Sequence, residues 1–133
     1  MATFSFELVS PERVLFSGTV AEVVVPGADG DMTIMSSHAP VMTTLRSGVV
    51  TLDEGQGAPK RLYVAGGFAD VTAAGLTILA ELAIAVEDIN VEKVSADIRN
   101  AEEDLRDAQS DELRVAAQDK IASLKAMLAA VRH

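Results

Sequence analysis

Within twelve residues, from Asp29 to Pro40, the chain gathers two aspartates, Ser36, Ser37 and His38. These are the side chains of a hydrolytic triad or a metal loop. Asp29-Gly30-Asp31 begins as a calcium loop does. The position that requires glycine is Ile34, however, and the twelfth, which requires glutamate, is Pro40. Zinc needs three or four nitrogen, sulfur or oxygen ligands, and the chain has one other histidine, His133, and no cysteine. A triad fares no better. Neighbours in an extended segment point to opposite faces, so adjacency works against convergence. There is also no Gly-x-Ser-x-Gly elbow and no glycine loop that could cradle a phosphate. Two readings of the segment remain open on the residues alone. His38 is a polar loop residue that fixes the Ala39-Pro40 turn, or Asp29, Asp31, Met32, Met35 and His38 form an edge that another protein contacts.

The rest of the chain determines what can hold such a segment. Its 133 residues suffice for one domain, or a small domain with an appendage. They are 49% hydrophobic and 4% aromatic without tryptophan, so the core is built from Val, Leu, Ile, Ala and Met. The absence of cysteine excludes a disulfide framework. A formal charge of -9 repels phosphate backbones and anionic headgroups, which argues against nucleic acid as a partner. The start, "MATFSFELVSPERV", does not have the pattern of a signal peptide. No apolar run approaches the roughly 20 residues that span a bilayer. A soluble or peripherally docked protein, with no cofactor and no metal, is the expectation.

Up to about residue 88 the chain reads as strands. "TFSFELVS" alternates, and "VAEVVVP", "VVTLD", "RLYVAG", "FADVTA" and "LTILAEL" are short β-rich runs separated by Gly- and Pro-bearing turns. That pattern predicts an all-β sandwich or barrel crossed eight to ten times. After Asp88 the period changes. Val91, Val94, Ile98, Ala101, Leu105 and Ala108 form one helical stripe, and Leu113, Ala117, Ile121, Leu124, Leu128 and Val131 form a second. Ser110 can cap the second helix, with Asp111 and Glu112 suited to its positive end. Two helices with a short turn make an antiparallel hairpin. Its alanine-rich stripes bury little, so it should rest on the sandwich or on a partner. Residues 1–88 carry 4 Lys/Arg and 11 Asp/Glu, net -7, while residues 89–133 carry 7 and 9, net -2. On the second helix Arg114, Lys125 and Arg132 fall within about 20° of one another, roughly 70° from the apolar stripe. They form either a solvated rim or a basic strip that reads an acidic partner surface.

Taken together, "PGADGDMTIMSSHAPVMTTLRSGVVTL", "VAGGFADV", "LTILAELA" and the C-terminal hairpin resemble the epsilon subunit of bacterial F-type ATP synthases, in order along the whole chain. The resemblance implies a ten-stranded β-sandwich followed by an antiparallel two-helix hairpin. It implies a non-catalytic subunit of the central rotor stalk, held by the gamma subunit and standing on the c-ring loops at a bacterial plasma membrane, on its cytoplasmic side. Residues 1–88 would dock, and residues 89–133 would be a regulatory appendage. Asp29, Asp31, Met32 and His38 would line the c-ring edge. Arg114, Lys125 and Arg132 would meet acidic surface on the alpha and beta subunits. The chain departs from the family pattern in two places. Thr33, Ser36 and Ser37 stand where glycine, proline and glycine are common, so the turn should be made differently. Asn90, Lys93 and Asn100 stand where ATP-binding members carry aspartate and two arginines, and lysine lacks the planar fork of arginine. Nucleotide binding is therefore not expected. A small enzyme using His38 and a free-standing adaptor that binds an unrelated coiled coil are the competing readings.

Overall fold

In a computed structural model, which describes residues 2–132 apart from the Arg132 side chain, the chain forms ten strands and then two helices. The strands are β1 (Phe4–Val9), β2 (Val14–Val20), β3 (Glu22–Gly27), β4 (Gly30–Met35), β5 (Val41–Thr44), β6 (Gly48–Asp53), β7 (Lys60–Ala65), β8 (Phe68–Thr72), β9 (Gly75–Leu79) and β10 (Leu82–Ala85). They make two five-stranded sheets, ordered β2-β1-β9-β8-β5 and β10-β7-β6-β3-β4. All pairings are antiparallel except β1 with β9, where Phe6 lies opposite Leu76 and Leu8 opposite Ile78. The expected sandwich is present, with the upper end of the expected strand count.

Alternation builds the core. Phe6 and Leu8 on β1, Val23 and Val25 on β3, Val50 and Leu52 on β6, and Leu76 and Ile78 on β9 are all buried, while Glu7 and Ser5 between them face outward. The Phe6 and Phe16 rings stack with centroids 5.5 Å apart. No member of the core cluster lies beyond Ala85, so the sandwich is self-sufficient in apolar packing.

The chain crosses from the second sheet to the first between β7 and β8, through Gly66 (φ 72°) and Gly67 (φ 106°). A Cβ on Gly67 would lie 2.0 Å from the Leu79 carbonyl oxygen, and the Gly67 carbonyl itself accepts from Leu45 N–H at 2.9 Å. Only glycine permits so close an approach in that conformation.

The chain divides between Val86 and Glu87, within a short 3-10 turn at Val86–Asp88. The second unit comprises α1 (Val91–Asp107) and α2 (Asp111–Arg132), which pack on each other. Asn90 caps α1 by accepting from Lys93 N–H at 3.0 Å, and Ser110 caps α2 by accepting from Leu113 N–H at 3.2 Å. On α1 the stripe is buried at Val94 and Ala101, while Val91 is exposed. On α2 the expected stripe holds at Ala117, which is buried, and at Ile121, Leu124, Leu128 and Val131, which are half-buried, and departs at Leu113. Leu113 is 57% exposed, and the buried positions are Ala117, Met127 and Ala130. α1 has ended at Asp107, so little of it is left beside the first turn of α2. Among the described residues, no helix is long and apolar enough to cross a membrane.

Candidate functional site

β3 and β4 form a hairpin whose turn is Ala28-Asp29, closed by Gly27 opposite Gly30. Gly30 adopts φ 135° with open space around it, as a tight turn requires. β4 is the outer strand of its sheet, so the segment singled out in the sequence is an exposed sheet edge. Asp29 and Asp31 are exposed. Met32 points the other way, being half-buried and packed against the core cluster, so it offers a partner less than the exposed Asp29 and Asp31 do.

Arg46, which nothing in the local sequence pattern singles out, braces this hairpin. Its guanidinium donates to the Gly27 carbonyl at 2.9 Å and to Asp31 Oδ1 at 2.6 Å. Its backbone N–H donates to the Pro26 carbonyl at 3.0 Å, and Ala28 N–H donates to the Thr44 carbonyl at 2.9 Å. The partners lie 19 and 15 residues away in sequence, beyond any helical or strand spacing. The only usable signal is that Arg46 is the sole cation between Arg13 and Lys60 in an otherwise acidic stretch.

His38 lies beyond the other end of β4. The four steps from Asp31 to Met35 span roughly 13 Å of strand, so Asp31 and His38 belong to opposite ends of one edge rather than to one cluster. The His38 ring donates from Nδ1 to the Ala39 carbonyl at 2.8 Å, and its backbone N–H donates to the Met35 carbonyl at 3.2 Å. These bonds fix the turn, as the loop reading anticipates. The adjacent recess of about 330 Å³ is lined by Ser36, Ser37 and His38 with Phe4, Val71 and Ala74, and no carboxylate lines it. A base without an orienting acid is not a triad. Among the described residues, no group of three or more His, Cys, Asp or Glu could hold a metal ion.

Ser37 takes φ 69°, the only positive value at a non-glycine residue among the described ones. It thus adopts the left-handed backbone that glycine takes most easily. That conformation costs a non-glycine residue roughly 1–2 kcal/mol. Ser37→Gly should therefore raise the thermal midpoint by about 3–8 °C, after allowance for the added entropy of the unfolded chain. Thermal unfolding followed by circular dichroism measures this; an unchanged or lowered midpoint would show that Ser37 is unstrained.

In the hairpin, the Arg114 guanidinium donates to Asp111 Oδ1 and to the Ala108 carbonyl, so it is engaged within its own turn. Lys125 is exposed, and the Arg132 side chain lies outside the described residues. At the start of α1, Asn90 is occupied as the cap, and the Lys93 ammonium pairs with Asp97 at 3.1 Å. Both positions are thus spent on local helix structure.

Comparison with known proteins agrees with this architecture. The family described as "ATP synthase, Delta/Epsilon chain, beta-sandwich domain" matches residues 3–86. The ATP synthase epsilon chain of Parvibaculum lavamentivorans is 50% identical over 122 residues, covering 91% of this chain and 92% of the relative. That of Mesorhizobium japonicum is 48% identical over 128 residues, covering 96% and 95%. Among solved structures, a chain of the Euglena gracilis mitochondrial ATP synthase superposes with a TM-score of 0.84 at 20% identity, over 98% of this chain and 82% of that one. A chain from the Tetrahymena thermophila mitochondrial ATP synthase central stalk and c-ring gives 0.69 at 12% identity, over 96% of each.

Proposed function

The chain belongs to the ATP synthase delta/epsilon family, and we propose that its β-sandwich holds the gamma subunit and stands on the c-ring loops at the cytoplasmic side of a bacterial plasma membrane. It is a non-catalytic stalk subunit of that enzyme. Its contribution is mechanical. A rigid body fixed to the rotor carries torque between the ring and the catalytic head without making or breaking a bond. In this reading the turn end of the β3–β4 edge, with Asp29 and Asp31, meets the polar c-ring loops. Met32 backs that edge from within, and His38 shapes its far end. One observation carries the reading: about half of the residues are shared with epsilon chains over almost the whole length of both. The Arg46 brace supports it, because a torque-bearing contact needs an edge that does not bend.

Residues 89–133 act in this reading as an appendage that tunes hydrolysis. Arg114 is engaged locally, while Lys125 is exposed; together with Arg132 it would be the part of the basic strip that meets acidic surface on the alpha and beta subunits. Exposed ion pairs contribute about 0.2–1 kcal/mol each. Two of them can bias the hairpin but cannot lock it.

The test is a chain ending at Asp88. The core cluster stops at Ala85, so the truncated sandwich should fold, assemble with the enzyme and support proton-coupled ATP synthesis near the full-chain level. ATP hydrolysis should be unchanged or raised by no more than a few-fold. Loss of assembly on truncation would overturn the division of labour.

A further inference from the structure

We infer that the turn end of the helical hairpin is a docking notch for a cationic amphipathic helix, in contrast to the acidic surface that the basic strip would meet. Two independent features meet there. The first is shape. A notch of about 380 Å³ is lined by Ala108, Ala116, Ala117 and Leu113 together with Asp104, Asp107 and Lys120. Leu113, which lines this notch, is 57% exposed, so the first turn of α2 presents there a large apolar group that the hairpin leaves uncovered. Small residues beside one exposed leucine make a hole into which a single apolar knob from another helix can insert.

The second feature is charge. From Glu102 to Arg114 six carboxylates face two arginines, a net charge of -4, whereas residues 115–132 carry three cations and one aspartate, net +2. The hairpin is thus polarised along its length. Arg114 offsets Asp111, to which its guanidinium is bound along with the Ala108 carbonyl. Asp104 and Asp107 line the notch one helical turn apart, spaced to receive lysine or arginine from the same helix that supplies the knob. A helix of opposite sign pattern, apolar and acidic, would meet like charge there and be rejected.

The notch lies wholly within the hairpin, so the inference does not depend on the ATP synthase reading; that reading decides only where in the cell the helix would come from. The isolated full-length chain is titrated with a synthetic amphipathic Leu/Lys helical peptide and, separately, with its Leu/Glu counterpart. Amide shifts in the protein are followed by nuclear magnetic resonance. The expected result is binding of the Leu/Lys peptide alone, with shifts concentrated in residues 102–120. Asp104→Asn with Asp107→Asn should weaken it about threefold to tenfold. Leu113→Ser should weaken it with the charges intact, and circular dichroism verifies that the helices persist. Shifts confined to the acidic sandwich, equal binding of both peptides, or no binding would overturn the proposal. In the assembled enzyme, a benzophenone side chain placed at Ala116, which lines the notch, should cross-link to a segment of net positive charge; cross-links to an acidic segment would likewise overturn it. Failure of the subunit to enter the enzyme would instead count against the family reading, leaving the peptide result to decide the notch.

Discussion

Gly67→Ala should come close to unfolding the sandwich. The added Cβ would sit 2.0 Å from the Leu79 carbonyl oxygen and 2.8 Å from Ala80 Cα, both backbone atoms that cannot rotate away. The backbone at φ 106° is also one that alanine avoids. Relief requires β8 to move off β9, and the same movement strains the bond from Leu45 N–H to the Gly67 carbonyl at 2.9 Å. Backbone strain and a lost close approach together should cost about 3–5 kcal/mol, a large part of the 5–15 kcal/mol that a domain possesses. At about 4–8 °C per kcal/mol for a domain of this size, the midpoint should fall by more than ~12 °C. Gly57→Ala is the control. Gly57 has φ 74° but nothing within 4 Å of the added Cβ, so that variant pays only for the backbone, about 1–2 kcal/mol. Thermal unfolding of both variants separates the two terms. Equal midpoints would mean that the close approach to Leu79 is relieved without strand movement.

The second large effect is expected at Arg46. Its two side-chain bonds are unequal. The pair with Asp31 is exposed, the two side chains being 47% and 63% accessible, and is worth at most about 1 kcal/mol. The bond to the Gly27 carbonyl is partly buried and charge-assisted, a class worth about 1.5–3 kcal/mol. The hydrogen bond should therefore dominate the ion pair. Arg46→Ala is expected to lower stability by about 2–3 kcal/mol, Arg46→Lys by about half of that, because a single ammonium cannot fork to both acceptors, and Asp31→Asn by less than 1 kcal/mol. Chemical denaturation of the three variants gives the ordering. In the assembled enzyme the same ordering should appear in the coupling of proton flow to ATP synthesis, if the hairpin tip is the docking edge. A larger loss from Asp31→Asn than from Arg46→Ala would reverse the assignment and make the carboxylate itself the contact.

Much of the local structure was legible before any coordinates. Alternation of apolar side chains predicts strands because successive side chains face opposite sides of a sheet, and "TFSFELVS" became β1 with Phe6 and Leu8 inside. The change of period after Asp88 marked the helical hairpin, and Ser110 signalled its second start because a hydroxyl there meets an otherwise unpaired N–H. The left-handed backbone of Ser37 was not legible in its residue type. Residue type suggests which backbone is easy, but surrounding strands can hold a serine where glycine would be easier.

The sequence alone determined the class of each half, the order of its elements and the excess of acid on the sandwich. Those properties are local or compositional, so periodicity and counting suffice. Only the tertiary structure decided that Arg46 braces the hairpin carrying Asp31, that Asp31 and His38 stand at opposite ends of one edge strand, that Met32 faces the core, and that Leu113 remains exposed beside a notch. Each of these depends on strand order or on where a neighbouring helix ends. Such contacts join residues far apart in sequence, and no local spacing encodes them.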